Sequence, residues 1–244
     1  MIIIRYRELA LKGNNRIVFE RALQRNILDA LKKHTIKYNK VWRIRGRMII
    51  DTQEQVPFLD HVFGIASYSY GIEIPQDIEV IKKECLKAYK QGTFRISCQR
   101  MEDFPYSSQE VEKEVGAYVV EHTGAKVKLK DPDQDISVEI FNNKGYVFTE
   151  KISGPGGLPI TKDSHVILIL QDNNSIKAGL KMMKRGCTVN IYKEKDIDYS
   201  ELKEYEYGFK IKEIDHIPQD TVFIVSDTVE TIKEYPYFVL RPLI

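Results

Sequence analysis

The sequence is poor in cysteine, in long apolar runs and, at one decisive turn, in glycine. Its three cysteines, Cys85, Cys98 and Cys187, are too scattered for a disulfide framework, and none stands in a C-x-x-C pair suited to zinc or redox work. The five histidines show no H-x-x-x-H spacing, so no metal site is expected. No apolar run approaches the roughly 20 residues needed to cross a bilayer. The opening MIIIRYRELALKG has no small-residue cleavage pattern and reads as a first strand. Together these absences point to a cytoplasmic protein with no membrane partner.

Net charge is also small, +2 over 244 residues, but the balance is uneven. Residues 1–60 carry 13 Lys/Arg against 6 Asp/Glu, whereas residues 161–244 carry 12 against 14. A basic N-terminal region is a physical argument for a polyanionic partner, although solvated lysines are common enough that charge alone leaves the matter even.

Hydrophobic periodicity divides the chain into three parts. Residues 2–6 form a β-branched strand and 16–33 repeat apolar residues at helical spacing. Residues 40–51 read as two strands meeting near Gly46, a short helix follows around 57–62, and 66–74 read as one strand. This β-α-β-β-α-β order is the ferredoxin-like one, assigned to residues 1–75. Residues 76–160 form a second module. It has a helix over 77–90, a strand over 93–98, and a helix opened by the S-x-x-E capping pattern of Ser107 and Glu110. Strands follow at 126–129, 136–141 and 146–152, the last two joined at Asn142–Gly145. Spacing alone makes Gly154–Pro159 a linker or hinge. Residues 161–244 alternate strands with helices, with strands at 188–192, 209–214, 221–225 and near Phe238, as in a small parallel sheet. The fold class is therefore α/β, with α+β modules at the N-terminal end.

In the third part a buried strand leads through Gln171, Asp172, Asn173 and Asn174 into a helix. Strand, turn and helix in that order form the layout of a phosphate-binding loop, yet the turn holds no glycine.

Several stretches, RYRELALKGNNRIVFE (5–20), VFGI (62–65), FPYSSQEVEKEVGAYVVEHTGAKVKLKDPD (104–133), VFTEKISGPGGLP (147–159) and KMMKRGC (181–187), resemble the tRNA 4-thiouridine synthases, or thiamine-biosynthesis sulfurtransferases. The resemblance implies a ferredoxin-like domain, an RNA-binding THUMP domain and an ATP-binding PP-loop domain that adenylates a tRNA uridine. Here that last domain would be degenerate and truncated, so no cofactor is expected. The family's S-G-G-x-D-S motif, counted back from KRGC, falls on Leu170, Gln171, Asp172, Asn173, Asn174 and Ser175, and only the serine is kept. Glycines there let backbone N–H groups approach pyrophosphate, and the aspartate holds magnesium.

From the resemblance, tRNA is the expected partner. Its candidate contacts are Lys12, Asn15 and Arg16 in the matching loop and helix start, and Arg43, Arg45 and Arg47 in RIRGR. Arg95 and Arg100 beside a strand, and Lys126 and Lys128 with Lys130, complete the set. For each, a plain solvated edge is the competing reading. Tyr68, Tyr70, Phe104 and Tyr106 could stack on bases, or simply fill the core. The expectation is a tRNA-binding protein without catalytic residues. An active ATP-dependent enzyme using Asn174, Ser175 and Lys177 is the first alternative. A structural subunit of a complete sulfurtransferase is the second. A stand-alone PP-loop protein as partner and a homodimer both fit this reading.

Overall fold

A computed structural model describes residues 1–6, 15–44, 46–216, 221–236 and 238–244. In chain order come β1 (Ile2–Arg5), α1 (Arg16–Lys33), β2 (Lys40–Ile44), β3 (Arg47–Asp51), a 3-10 turn at Pro57–His61 and β4 (Ser67–Tyr70). Then follow β5 (Ile72–Pro75), α2 (Ile78–Ala88), β6 (Phe94–Arg100), α3 (Ser108–Thr123), β7 (Gln134–Phe141) and β8 (Lys144–Phe148). The remainder comprises β9 (Ile152–Ser153), β10 (His165–Leu170), α4 (Asn174–Lys184), β11 (Thr188–Lys193), α5 (Ser200–Lys203), β12 (Glu213–Ile214), β13 (Phe223–Ile224) and β14 (Val239–Leu240).

Three sheets result. The first has the order β2-β3-β1-β4-β9, in which the first four strands follow the ferredoxin-like arrangement. Ile2, Ile3 and Ile4 are all buried, as expected of a strand covered on both faces. The second sheet runs β5-β8-β7-β6, and the third, β12-β11-β10-β13-β14, is parallel throughout. Val166–Leu170 in the middle of that sheet are all buried, the continuous apolar run that a parallel sheet requires.

By packing, the chain forms two units. One comprises Met1–Ile4, Ile49–Gln53 and Tyr68–Ile152; the other comprises Arg5–Met48, Glu54–Ser67 and Ser153–Ile244. In the first, Ile81 and Cys85 of α2 and Val111, Val115 and Val119 of α3 cover Ile96, Ile136 and Val138 of the sheet. Helix α3 starts where the sequence pattern puts it. The Ser107 hydroxyl accepts the Glu110 N–H and the Glu110 carboxylate accepts the Ser107 N–H. In the second unit, Ile176, Ala178, Met182 and Met183 of α4 pack on Val166, Leu168, Val189 and Ile191.

Five strand expectations change, among them 146–152, which ends at Phe148 in β8 and resumes as β9 in another sheet. The run 66–74 is two strands in different sheets, broken at Gly71, where a Cβ would stand 2.9 Å from Ile3 Cδ1. Residues 126–129 form no strand; Val127 makes a single bridge to Phe94, and the chain turns at Asp131 with φ +47°. The strands expected over 209–214 and 221–225 shorten to two residues each.

Candidate nucleotide loop and nucleic-acid surface

β10 delivers the chain to the glycine-free turn, and the turn closes on itself. Asp172 Oδ1 accepts the N–H groups of Asn174 (2.8 Å) and Ser175 (3.2 Å). Ser175 Oγ accepts those of Gln171 (3.1 Å) and Asp172 (3.3 Å). Amides of the kind a phosphate would need already have acceptors within the loop. A carboxylate at a helix N-terminus also complements the helix dipole, typically contributing about 1 kcal/mol.

A second set of residues, absent from the sequence reading, reinforces the closure. The buried Gln171 side chain donates through Nε2 to the Tyr235 hydroxyl (3.1 Å), which donates in turn to Asp227 Oδ1 (2.9 Å). Asp227 is only 3% exposed, and Arg241 Nε neutralises it at 3.2 Å. Burial pushes the Tyr235 phenol above its ordinary value, so it stays protonated as a donor. Lys181 Nζ also donates to Pro242 O (3.0 Å), tying α4 to the C-terminal segment. No local pattern announces these contacts, since Gln171 and Tyr235 stand 64 residues apart.

The cysteines are poor nucleophiles here. Burial pushes the Cys187 thiol up, Cys98 to about 11 and Cys85 to about 12, so none is held as thiolate near neutral pH.

Gly154–Pro159 is a clamp rather than a hinge. Gly154 and Gly156 donate to Ala66 O and Ile65 O (3.1 and 2.8 Å), and Gly156 O accepts the Gly64 N–H (2.8 Å). On its other side Leu158 N–H meets Lys184 O (2.9 Å) and Thr161 N–H meets Gly186 O (2.9 Å). The stretches VFGI, GPGGLP and KRGC therefore meet in space. A Cβ on Gly157, whose φ is +73°, would fall 2.2 Å from Lys184 O, and one on Gly154 would fall 2.4 Å from Ile65 O. Glycine is required by that close approach.

Among the expected RNA contacts, Lys12 and Arg45 lie outside the described residues. Arg16 and Arg43 share Glu20: Arg16 Nε lies 2.7 Å from Oε1 and Arg43 Nη1 lies 3.6 Å from Oε2. The Tyr6 hydroxyl donates to the same carboxylate at 2.9 Å. Asn15 is exposed beside them. Arg47, the third candidate of RIRGR, is turned inward. It is 9% exposed, with Nη1 turned back to Gly46 O, because it begins β3 after the break at Gly46.

In the other unit Arg95 is bound by Asp135 through Nε and Nη2, and Arg100 Nη1 donates to Phe104 O (2.8 Å). Lys126, Lys128 and Lys130 are exposed on the segment that failed to become a strand, and none has an ion-pair partner among the described residues. Tyr68 is buried, and Phe104 and Tyr106 are partly buried against the core. These aromatics pack the protein.

Residues 1–69 match a family model described as the ThiI ferredoxin-like domain, and residues 73–150 match the THUMP domain. The probable tRNA sulfurtransferase of Thermococcus kodakarensis is 33% identical, over 96% of this chain and 68% of that protein. The chain belongs to the tRNA sulfurtransferase family. A second relative in the family, the probable tRNA sulfurtransferase of Natranaerobius thermophilus, is 37% identical over 77% of this chain and 50% of its own length. Against that family member, then, the chain spans half the length. The crystal structure of PH1313 from Pyrococcus horikoshii superposes with a TM-score of 0.86 and 30% identity, covering 100% of this chain and 94% of that one. A crystal structure of a 4-thiouridine synthetase–RNA complex with bound ATP superposes with a TM-score of 0.64 and 30% identity, over 79% of this chain and 52% of that one. The family assignment agrees with the mixed α/β architecture, its ferredoxin-like and THUMP domains and its parallel sheet. Among the described residues no helix is long and apolar enough to cross a membrane.

Proposed function

We propose that this sulfurtransferase relative binds tRNA without adenylating or thiolating it, and serves as an accessory or partner-docking protein. The observation that carries the reading is the Asp172 carboxylate seated on the amides of Asn174 and Ser175. A triphosphate would have to displace that carboxylate or lie beside it. Two like charges about 4 Å apart at an effective dielectric near 20 repel by about 4 kcal/mol, roughly three decades of affinity. Asn174 stands where the family motif has its aspartate, and an amide brings no charge to hold magnesium. In this reading the closed loop does not take ATP.

RNA binding is supported from other directions. The THUMP match covers residues 73–150, and the solved 4-thiouridine synthetase relative is complexed with RNA. The ion pairs favour some candidates over others: Lys126, Lys128 and Lys130 have no ion-pair partner among the described residues, whereas Arg16 and Arg95 are already engaged by carboxylates.

A filter-binding titration tests the binding half. The expected result is preference for tRNA over duplex DNA with a steep loss of affinity as salt rises, because phosphate neutralisation releases counterions. Equal binding to both, independent of salt, overturns it. Calorimetry with ATP and magnesium tests the other half: no heat is expected up to millimolar nucleotide, and a saturable isotherm overturns the loss of ATP chemistry. Co-purification of a complete sulfurtransferase or a stand-alone PP-loop protein with this chain tests the accessory role.

A further inference from the structure

An open cavity lies at the opposite end of the parallel sheet from the glycine-free turn. It measures about 930 Å³ and sits at the N-terminal ends of β10, β11 and β12, walled by His165, Thr188, Asn190 and the residues before β12. Six strand residues at about 3.3 Å each separate it by roughly 20 Å from the turn, so it is a different site. Open α/β sheets ordinarily place ligands at the other end, beyond the carboxyl ends of the strands.

Cations converge on it from three distant parts of the sequence. α1 contributes Arg25, Lys32 and Lys33, which lie on one helical face at spacings of seven and eight residues. The chain leading into β10 contributes Lys162, and the approach to β12 contributes Lys210 and Lys212.

Two carboxylates, Asp29 and Glu206, also line the wall and offset part of this positive charge. Asp29 Oδ2 accepts the Gly208 N–H (2.8 Å), and Glu206 accepts the Ile211 N–H and pairs with Lys33 at 3.7 Å. Lys32, Lys162, Lys210 and Lys212 are exposed and have no ion-pair partner among the described residues. Asn190 accepts the Lys212 N–H through Oδ1 (3.3 Å), which leaves its amide NH₂ as a neutral donor to the cavity. Four ammonium groups gathered around one concavity repel one another and focus a positive field into it.

We propose that this cavity binds the phosphate backbone of RNA, so that the C-terminal module shares in holding the tRNA although its nucleotide loop is closed. The inference rests on the proposed tRNA binding and adds a location that the THUMP and ferredoxin-like matches do not cover on the sheet side. The chemistry it selects is a chain of phosphates, because several point-like ammonium groups spread over three elements match successive charges better than one compact anion.

The test uses the full chain and two pairs of substitutions at exposed positions, Lys32→Gln with Lys162→Gln, and Lys210→Gln with Lys212→Gln. Each phosphate-contacting lysine contributes about 0.9 to the slope of log K against log salt, so each pair should flatten the slope by about 2. Near 0.15 M salt the same loss weakens tRNA binding by roughly 30-fold. The corresponding Lys→Arg pairs keep the charge and should retain affinity and slope.

Wild-type binding to tRNA with an unchanged slope in both Gln pairs overturns the cavity assignment and leaves the proposed function standing. No tRNA binding by the wild type overturns both. A parallel titration with inorganic triphosphate and with ATP distinguishes a free phosphate ligand. Binding of either that depends on these lysines, with tRNA affinity indifferent to them, overturns the RNA assignment.

Discussion

Two glycine sites of the family stand in contrast in this chain. In Gly154–Pro159 the glycines remain, because carbonyl oxygens of Ile65 and Lys184 occupy the space a Cβ would take. In Gln171–Ser175 none remains, and side chains of the loop have taken the hydrogen bonds that glycine would have left open to a ligand. The first kind of glycine is kept by the fold and the second by a ligand. If the loop takes no nucleotide, as proposed, only the second kind is free to change. The difference teaches how to divide family motifs: GPGGLP and KRGC report architecture here, and only the turn after β10, which lies between them, bears on chemistry.

The comparison breaks most sharply at the clamp. Gly157→Ala combines a positive φ with a 2.2 Å approach to Lys184 O, and should destabilise the protein by more than about 3 kcal/mol in chemical denaturation. A loss under about 1 kcal/mol would mean that the clamp yields and its glycines are not structural. Next comes the network behind the turn. Asp227→Ala leaves Arg241 without its carboxylate and should cost about 3 kcal/mol. Tyr235→Phe removes the hydroxyl between Gln171 and Asp227 and should cost about 1 kcal/mol.

Restoring glycine is a smaller perturbation. Asp172→Gly should lower stability by about 1 kcal/mol through loss of the bonds to Asn174 and Ser175. It should gain no heat with ATP, because the Gln171–Tyr235–Asp227 chain still closes the loop; an ATP isotherm would show that the carboxylate alone shut the site.

The smallest effect belongs to the ordinary cap at Ser107, a reference for the one at Asp172. Bonds from Ser107 hold the Glu110 carboxyl below its ordinary value. Its contribution is therefore present above the unfolded value and is lost as pH falls through the lowered one. Thermal melts of wild type and Glu110→Gln should differ at neutral pH and converge in acid.

What was legible in the sequence was local. The capping box at Ser107 and Glu110 and the tight turn before Lys144 each depend on a few neighbouring residues. Asn142 and Asn143 adopt φ of +57° and +56°, as asparagine tolerates, and β7 pairs directly with β8 across them. The missing glycines of the turn were equally plain. The switch of sheets at Gly71 was not, because apolar residues on both sides of it satisfy a single-strand pattern and only the tertiary partners decide. The burial of Arg47 was not legible for a related reason: which residues of β3 are covered is decided by their tertiary partners. Tyr235, Asp227 and Arg241 could not be connected with Gln171 by any spacing rule, nor could Lys32 with Lys212. Those contacts exist only after the chain has folded back.

The carboxylate of Asp172 can also be viewed as a competitor. It is tethered two residues from the amide of Asn174 that it occupies, so its effective concentration there is fixed by a few bonds of chain. Dilution cannot lower that concentration, and on the proposed reading a nucleotide would bind only by opening the turn. A free inhibitor would make the closure of this loop a matter of degree, set by what the cell contains. A tethered one makes it a constant of the polypeptide, inherited at synthesis and carried at the same strength by every copy.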